Sequence, residues 1–228
     1  MILTENELKY TIGNRRNQQV IRWLSSRCKA DKTYHAQTVS SIYYDTLSWR
    51  FLNEKVNSDY LKTKVRLRWY SDIVYRHHFN SSFAEVKFRI GPRRKKVRIL
   101  TTFSGSQIAD TALHDAMFSR IPSLLESNHI LLGEQFFPAF QISYKRVRYK
   151  EPFTGITLCF DYDIGVSRAN TFMVPHGHPF ALRTAVLELK GDLNEMPAPL
   201  FGLVNMGFRK ESFSKYYACY RKMVDLEA

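Results

Sequence analysis

The sequence predicts a mainly β fold of the α+β class, with eight antiparallel strands closed into a barrel and helices packed outside. Three observations lead there. Segments in which charged and apolar residues alternate recur along the chain. The charges that share a face are mostly of one sign. Hydrophobic residues make up 44% of the 228 positions, enough for a substantial core in one large all-β domain. With no repeat, low-complexity tract or linker, residues 1–228 are expected to form a single domain.

The expected strands are 4–11, 38–45, 62–70, 83–90, 94–100, 140–149, 156–164 and 185–190. Four helices complete the reading. Asn14 is placed to cap one over 15–28, with Ile21, Leu24 and Cys28 on one face. A second spans 107–126 in two pieces, broken at Pro122. Pro197 and Pro199 open a short helix that Gly207 closes. The last, over 214–226, starts at Ser212 or Ser214 and buries Phe213, Tyr217, Tyr220 and Val224.

In a strand, residues two apart share a face. Segment 62–70 sets Lys62, Lys64, Arg66 and Arg68 against Val65, Leu67 and Trp69. Glu85, Lys87 and Arg89 oppose Val86 and Phe88, and Arg94, Lys96 and Arg98 continue the series. Tyr144, Arg146 and Arg148 fall together, and Glu188 and Lys190 oppose Leu187 and Leu189. Asp161 and Asp163 oppose Leu158, Phe160 and Tyr162 and read as counter-charges to arginines, with metal ligation as the alternative. One wet face is ordinary for an antiparallel sheet. Many adjacent strands with like charges are not, because each directly opposed pair costs a few tenths to about 1 kcal/mol. An anion on that face offsets the repulsion, and a barrel with charge inside and helices outside satisfies both faces.

Thirty-four Lys and Arg against 21 Asp and Glu give a net charge of +13 and call for an anionic partner. Nucleic acid fits poorly, since its readers display cations on exposed helices or open sheets interleaved with stacking aromatics. Three scattered cysteines, Cys28, Cys159 and Cys219, point to reduced thiols and a cytoplasmic setting. The first residues turn acidic before a signal-peptide core could form, and no apolar run reaches membrane-span length. His176-Gly177-His178 and His77-His78 read as solvated loops, and Arg93-Arg94-Lys95-Lys96 as the start of a strand after the Gly91-Pro92 turn.

In order along the chain, Glu5-Asn6-Glu7-Leu8-Lys9, Ser41-Ile42-Tyr43-Tyr44-Asp45-Thr46, Lys64-Val65-Arg66-Leu67-Arg68-Trp69-Tyr70, Glu85-Val86-Lys87, Lys96-Val97-Arg98, Tyr144-Lys145-Arg146, Leu187-Glu188-Leu189-Lys190 and Ser214-Lys215-Tyr216 form an ordered set. That set resembles the CYTH, or triphosphate tunnel, superfamily, and within it the VTC domain of ATP-dependent polyphosphate polymerases. The resemblance implies an eight-stranded tunnel whose basic side chains hold ATP, triphosphate or polyphosphate, with Mn²⁺ or Mg²⁺ on an acidic residue. By position it makes Lys9, Lys64, Arg66, Arg68, Lys87, Lys96, Arg98, Arg146, Lys190 and Lys215 phosphate ligands and Tyr144 a hydrogen-bond donor to phosphate. It makes Glu188 the metal ligand, helped by Glu7 or Glu5, and Lys9, Arg66, Arg68, Lys87 and Glu188 the catalytic group. Thr157 and Ser212 stand where relatives carry cations, and Glu5 where many VTC domains have arginine.

The expected activity is metal-dependent phosphoryl transfer, with ATP-dependent polyphosphate synthesis first. A tripolyphosphatase or nucleoside triphosphatase of the same fold is the alternative, as is a non-catalytic module binding polyphosphate or inositol phosphates. Polymerases of this type are often coupled to membrane proteins that move the product, so a membrane-protein partner is also expected.

Overall fold

A computed structural model describes residues 6–91 and 93–225. The elements run β1 (Asn6–Gly13), a 3₁₀ turn (Asn14–Arg16), α1 (Asn17–Arg27), β2 (Lys29–Ala30), β3 (Ala36–Asp45), α2 (Arg50–Val56), β4 (Leu61–Ser71), β5 (His78–Ile90) and β6 (Arg93–Leu100). They continue with α3 (Gly105–Asp110), a 3₁₀ turn (Ala116–Ser119), α4 (Arg120–Ser127), β7 (Phe137–Lys150), β8 (Thr157–Ala169), β9 (Phe180–Ala181) and β10 (Thr184–Gly191). A last 3₁₀ turn (Ala198–Leu200), α5 (Phe201–Asn205), β11 (Arg209–Lys210) and α6 (Lys215–Asp225) complete the chain.

The sheet corrects the expected closed eight-stranded barrel. Among the described residues it has eleven strands in the order β11-β1-β10-β8-β7-β3-β4-β5-β6, with β2 paired to β7 and β9 to β8. The eight longer strands overlap the eight expected segments, and β2, β9 and β11 are two-residue additions too short to leave a periodic signal. Among the described residues no pairing joins β6 to the other end of the path, so the sheet is open. The physical reason lies in β6, where Arg93, Arg94, Lys95 and Lys96 are consecutive and exposed. A charged edge of this kind discourages further strand pairing.

The chain divides into two compact units. The first comprises Met1–Thr38, Tyr144–Ile164 and Ala181–Ser214, and the second Val39–Ser143, Gly165–Phe180 and Lys215–Ala228. In the first, β10 pairs antiparallel with β1 and with β8. Val20, Leu24, Leu158, Phe160, Leu187, Leu189 and Leu203 are fully buried there, and Phe160 stacks on Tyr162 at 5.6 Å between centroids. In the second, β4, β5 and β6 pair antiparallel in order. Their apolar face (Val65, Leu67, Trp69, Ala84 and Val86) packs with Ile108, Phe118, Ile121 and Leu125 of the helical segment. The side of these strands bearing Lys and Arg is therefore the side away from that helical segment. Gly105 opens α3 against the sheet, and any Cβ there would stand 2.8 Å from the Phe79 carbonyl oxygen, so only glycine permits the approach.

Several helical expectations shift for local reasons. The break in 107–126 falls at Thr111–Asp115, and Pro122 lies in the first turn of α4, where its missing N–H has no intrahelical acceptor to lose. Asn14 does not cap α1. It begins the 3₁₀ turn, and its side-chain amide donates to the Leu182 carbonyl at 2.6 Å. The buried face of α1 is Val20 and Leu24, continued by Cys28, so Val20 takes the place expected for Ile21. On α6 the buried stripe is Tyr216, Cys219 and Met223, while Val224 is exposed, a rotation from the expected face.

Asp45 causes that rotation. Its buried carboxylate accepts hydrogen bonds from the backbone N–H of Thr46 (2.9 Å), Phe51 (2.9 Å) and Leu52 (3.0 Å) and from the Tyr216 hydroxyl (2.7 Å). The first turn of α2 is thus capped from six residues upstream, and α6 is fixed by the phenol it must aim at Asp45. Tyr216 then stacks on Tyr43 at 4.7 Å between centroids. Replacing Asp45 by Ala leaves three buried N–H groups without their acceptor and should cost about 3–5 kcal/mol. Tyr216→Phe removes one donor from a still-satisfied carboxylate and should cost about 1 kcal/mol. Urea unfolding midpoints at constant m-value check the ranking, and equal losses for the two variants would contradict it.

Candidate functional site: two charged clusters

The second unit carries the larger cationic array. Register sets Lys64 beside Lys87 and Lys87 beside Lys96, while Lys62, Arg89 and Arg94 form a second like-charged row. The third row reads Arg66, Glu85, Arg98. Glu85 is fully buried. Its Oε2 lies 2.6 Å from Arg66 Nη2 and 3.6 Å from Arg68 Nη1, and its Oε1 lies 2.7 Å from Lys96 Nζ and 2.9 Å from Arg98 Nε. One carboxylate therefore gathers four cations. Arg68 also donates to Ser41 Oγ at 3.0 Å, and Arg98 to the Tyr70 hydroxyl at 2.6 Å.

The electrostatics follow from that arrangement. Burial alone would raise the Glu85 carboxyl, but Arg66, Arg68 and Lys96 hold it well below the usual carboxylate range. Burial pushes Lys96 down, and the neighbouring Arg66 and Arg68 add to this against the pull of Glu85. The buried Tyr43 phenol would rise on desolvation, yet Arg66, Arg68 and Lys215 bring it below its ordinary value. Tyr70 is likewise lowered, burial being outweighed by Arg68 and Arg98. The field at this cluster favours negative charge.

The cluster in the first unit is balanced. Lys9 on β1 lies 3.3 Å from Glu7 Oε1 and 3.6 Å from Glu188 Oε1, and donates to the Phe213 carbonyl at 3.1 Å. Arg146 on β7 is buried and forks onto Asp161 at 2.5 and 2.6 Å, with Glu188 Oε2 3.3 Å from its Nη2. Lys190 is 3.6 Å from Glu188, and burial, which would lower it, is outweighed by Glu188. The Arg146 guanidinium lies 5.4 Å from the Tyr144 ring centroid. Three cations thus face three carboxylates. Asp163 leaves the strand geometry with φ of 51° and pairs with Lys145 at 3.0 Å instead.

Of the sequence-derived site residues, Glu7, Lys9, Tyr144, Arg146, Glu188 and Lys190 lie in the first unit. Lys64, Arg66, Arg68, Lys87, Lys96, Arg98 and Lys215 lie in the second, and Glu5 is outside the described residues. Glu85 as a shared counter-charge was not anticipated. The signal was present as a lone acid in the middle of an otherwise basic face. Among the described residues no three His, Cys, Asp or Glu side chains converge as a metal cage. Glu7 and Glu188, on adjacent strands at Lys9, nevertheless suit a hard divalent cation, which commonly takes one or two carboxylates and completes its shell with water and phosphate oxygen.

The family model for the VTC domain matches residues 4–224, so the chain belongs to the VTC domain family. That places it in the triphosphate tunnel superfamily, whose fold supports phosphoryl transfer. The PH1819 protein of Pyrococcus horikoshii OT3 is 15% identical with a TM-score of 0.52, covering 96% of this chain and 99% of its own. A Bacillus halodurans protein described as a candidate adenylate cyclase is 11% identical with a TM-score of 0.52, covering 93% of this chain and 96% of its own. At these identities the likeness shows the fold alone. Among curated proteins none matches this sequence. Among the described residues no helix is long and apolar enough to cross a membrane.

Glu85→Gln tests the electrostatics. Removing the charge leaves Arg66 and Arg68 uncompensated. The loss should be about 2–3 kcal/mol, less than the 3–5 of a fully buried pair, because Lys96 and Arg98 are about two-fifths exposed. Calorimetry should show Tm falling by about 4–12 °C, and tripolyphosphate should restore it by more than in the unmodified protein. Because Glu85 titrates lower folded than unfolded, its contribution is complete above the ordinary glutamate range and is lost as pH falls below about 4.5. The acid limb of stability should therefore be shallower in Glu85→Gln, and an unchanged limb would contradict this assignment.

Proposed function

We propose that the chain carries out metal-dependent phosphoryl transfer from ATP, with the end of a polyphosphate chain as acceptor. The observation that carries the reading is the pair of like-charged rows on β4, β5 and β6 beside the Glu85 cluster. Repulsion of that kind is offset by a chain of phosphates. Arg66, Arg68 and Arg98 supply planar forks, and Lys64, Lys87 and Lys96 point charges. Together they neutralise charge as the phosphoryl group moves, which is most of what such a reaction needs. Lys215, buried at the start of α6 and acting on the Tyr43 phenol, belongs to the same set.

In the first unit, Lys9, Arg146 and Lys190 serve as phosphate ligands, and Asp161 fixes the Arg146 fork by its bidentate contact. Tyr144 donates its hydroxyl to phosphate. Glu188, with Glu7 and Glu5, is the proposed holder of Mn²⁺ or Mg²⁺. Bound there, the cation would supply Lewis-acid stabilisation of phosphate oxygens. Glu188 would hold the cation in place of its contacts with Lys9 and Lys190, whose ammonium groups would then turn toward phosphate. Glu5 and Glu7, two residues apart in the sequence, leave triphosphate hydrolysis as a second reading, with water as acceptor.

Incubating pure protein with ATP and Mn²⁺ and resolving the products decides between them. Polyphosphate with ADP is the expected result. Orthophosphate alone would favour hydrolysis, cyclic AMP with pyrophosphate would favour a cyclase, and unchanged ATP would sink the catalytic reading. Glu188→Gln should lower turnover by several orders of magnitude, each 1.36 kcal/mol of lost transition-state stabilisation being tenfold. Metal-free tripolyphosphate binding should survive in that variant or tighten. Normal turnover in saturating Mn²⁺ would reduce Glu188 to a counter-charge.

A further inference from the structure

The first unit holds a cationic cavity that neither cluster explains. It measures about 730 Å³ and is lined by Asn14, Arg15, Arg16, Arg183, Gly207 and Arg209 among others, with no acidic side chain. The four arginines come from three separate stretches of chain: the turn after β1, the residue before β10, and β11. All four are exposed, and among the described residues none of them forms an ion pair. This sets the cavity apart from the clusters at Glu85 and Glu188, where a carboxylate lies within ion-pair distance of the cations. Four guanidinium groups around one cavity repel one another, and no residue lining it carries a counter-charge.

Hydrogen bonds tie the three stretches of the wall to neighbouring elements. Arg16 Nη1 donates to the Met206 carbonyl, which anchors one guanidinium and leaves its remaining donors available. The Asn14 backbone N–H donates to the Arg183 carbonyl at 3.0 Å, and its side chain to Leu182, tying the turn to the start of β10. Gly207 sits at φ of 96°, and a Cβ there would meet Arg16 Nη1 at 3.4 Å, so glycine both permits the turn and keeps space beside the arginine. Arg209 is held by pairing of β11 with Thr11. The first turn of α1, which follows Arg16, carries no acidic residue.

We propose that this cavity is a second anion site, taking a compact small molecule with two or more phosphate groups. A volume of this size lies within the range of small-molecule sites and exceeds the need of a single phosphate. Several planar forks suit several phosphate groups held side by side. The site uses none of the residues assigned to phosphoryl transfer and stands independently of that reading.

The test uses tripolyphosphate, without metal, in isothermal titration calorimetry. Arg66→Ala/Lys87→Ala weakens the cluster at Glu85 and Lys9→Gln/Lys190→Gln the cluster at Glu188, so the binding that remains in the combined background reports the arginine cavity. Adding Arg183→Glu and Arg209→Glu should reduce that remaining affinity at least tenfold, with circular dichroism and Tm confirming a folded protein. Arg183→Gln/Arg209→Gln, which adds no repulsion, should give a smaller loss in the same direction. Affinity unchanged by both pairs of substitutions would overturn the site. If the phosphoryl-transfer reading alone is wrong, Arg66→Ala/Lys87→Ala will bind like the unmodified protein while the Arg183 and Arg209 effect persists. Sedimentation with phosphatidylserine vesicles serves as a second arm. Vesicle binding lost in Arg183→Glu/Arg209→Glu, with tripolyphosphate affinity unchanged, would assign the arginines to a membrane surface and overturn the small-ligand proposal.

Discussion

A single buried carboxylate, Glu85, makes the basic face of β4, β5 and β6 possible. Strand pairing forces Arg66 and Arg98 to flank the same position, and Arg68 and Lys96 reach it from neighbouring rows. Without an anion there, the three strands would pair against their own charge. With one, the face tolerates cations on all three adjacent strands. The apolar side of these strands pulls the same way, because Val65, Leu67, Trp69 and Val86 are buried with the helical segment and commit the alternate residues to the opposite side.

The two clusters divide the chemistry by charge balance. Around Glu85, one acid faces Arg66, Arg68, Lys96 and Arg98, with Lys64 and Lys87 in the adjoining row. Around Glu188, the carboxylates of Glu7, Asp161 and Glu188 match Lys9, Arg146 and Lys190, and under the proposed function a metal ion would enter there as the ammonium groups turn to phosphate. The buried bidentate contact between Arg146 and Asp161 is the most rigid part of this arrangement, and it sets the direction of one fork before any ligand arrives.

Away from the charges, Asp45 does for the helices what Glu85 does for the strands. It was one letter of an ordered motif in the sequence, with no role attached. Its four hydrogen bonds join the end of β3 to α2 and α6. No local capping residue announced α2, since its cap lies six residues upstream and Trp49, just before it, adopts a left-handed backbone conformation. A remote cap leaves no signature within the window that sequence periodicity reads.

The sequence by itself determined the long strands and the sign of their faces. Period-two alternation is a local property, and a run such as Lys64, Arg66, Arg68 against Val65, Leu67, Trp69 has one sensible orientation in a strand. It also determined membership in the VTC domain family, through motifs whose order survives when each alone is weak. Tertiary structure decided what local pattern could not carry: that the sheet stays open at β6, that Tyr216 and not Tyr217 faces the core, and that Glu85 gathers four cations. It also decided that four arginines from three distant stretches of chain line one cavity. Each of these depends on register or packing between distant segments, where the energy lies in which residues meet and not in the residues themselves.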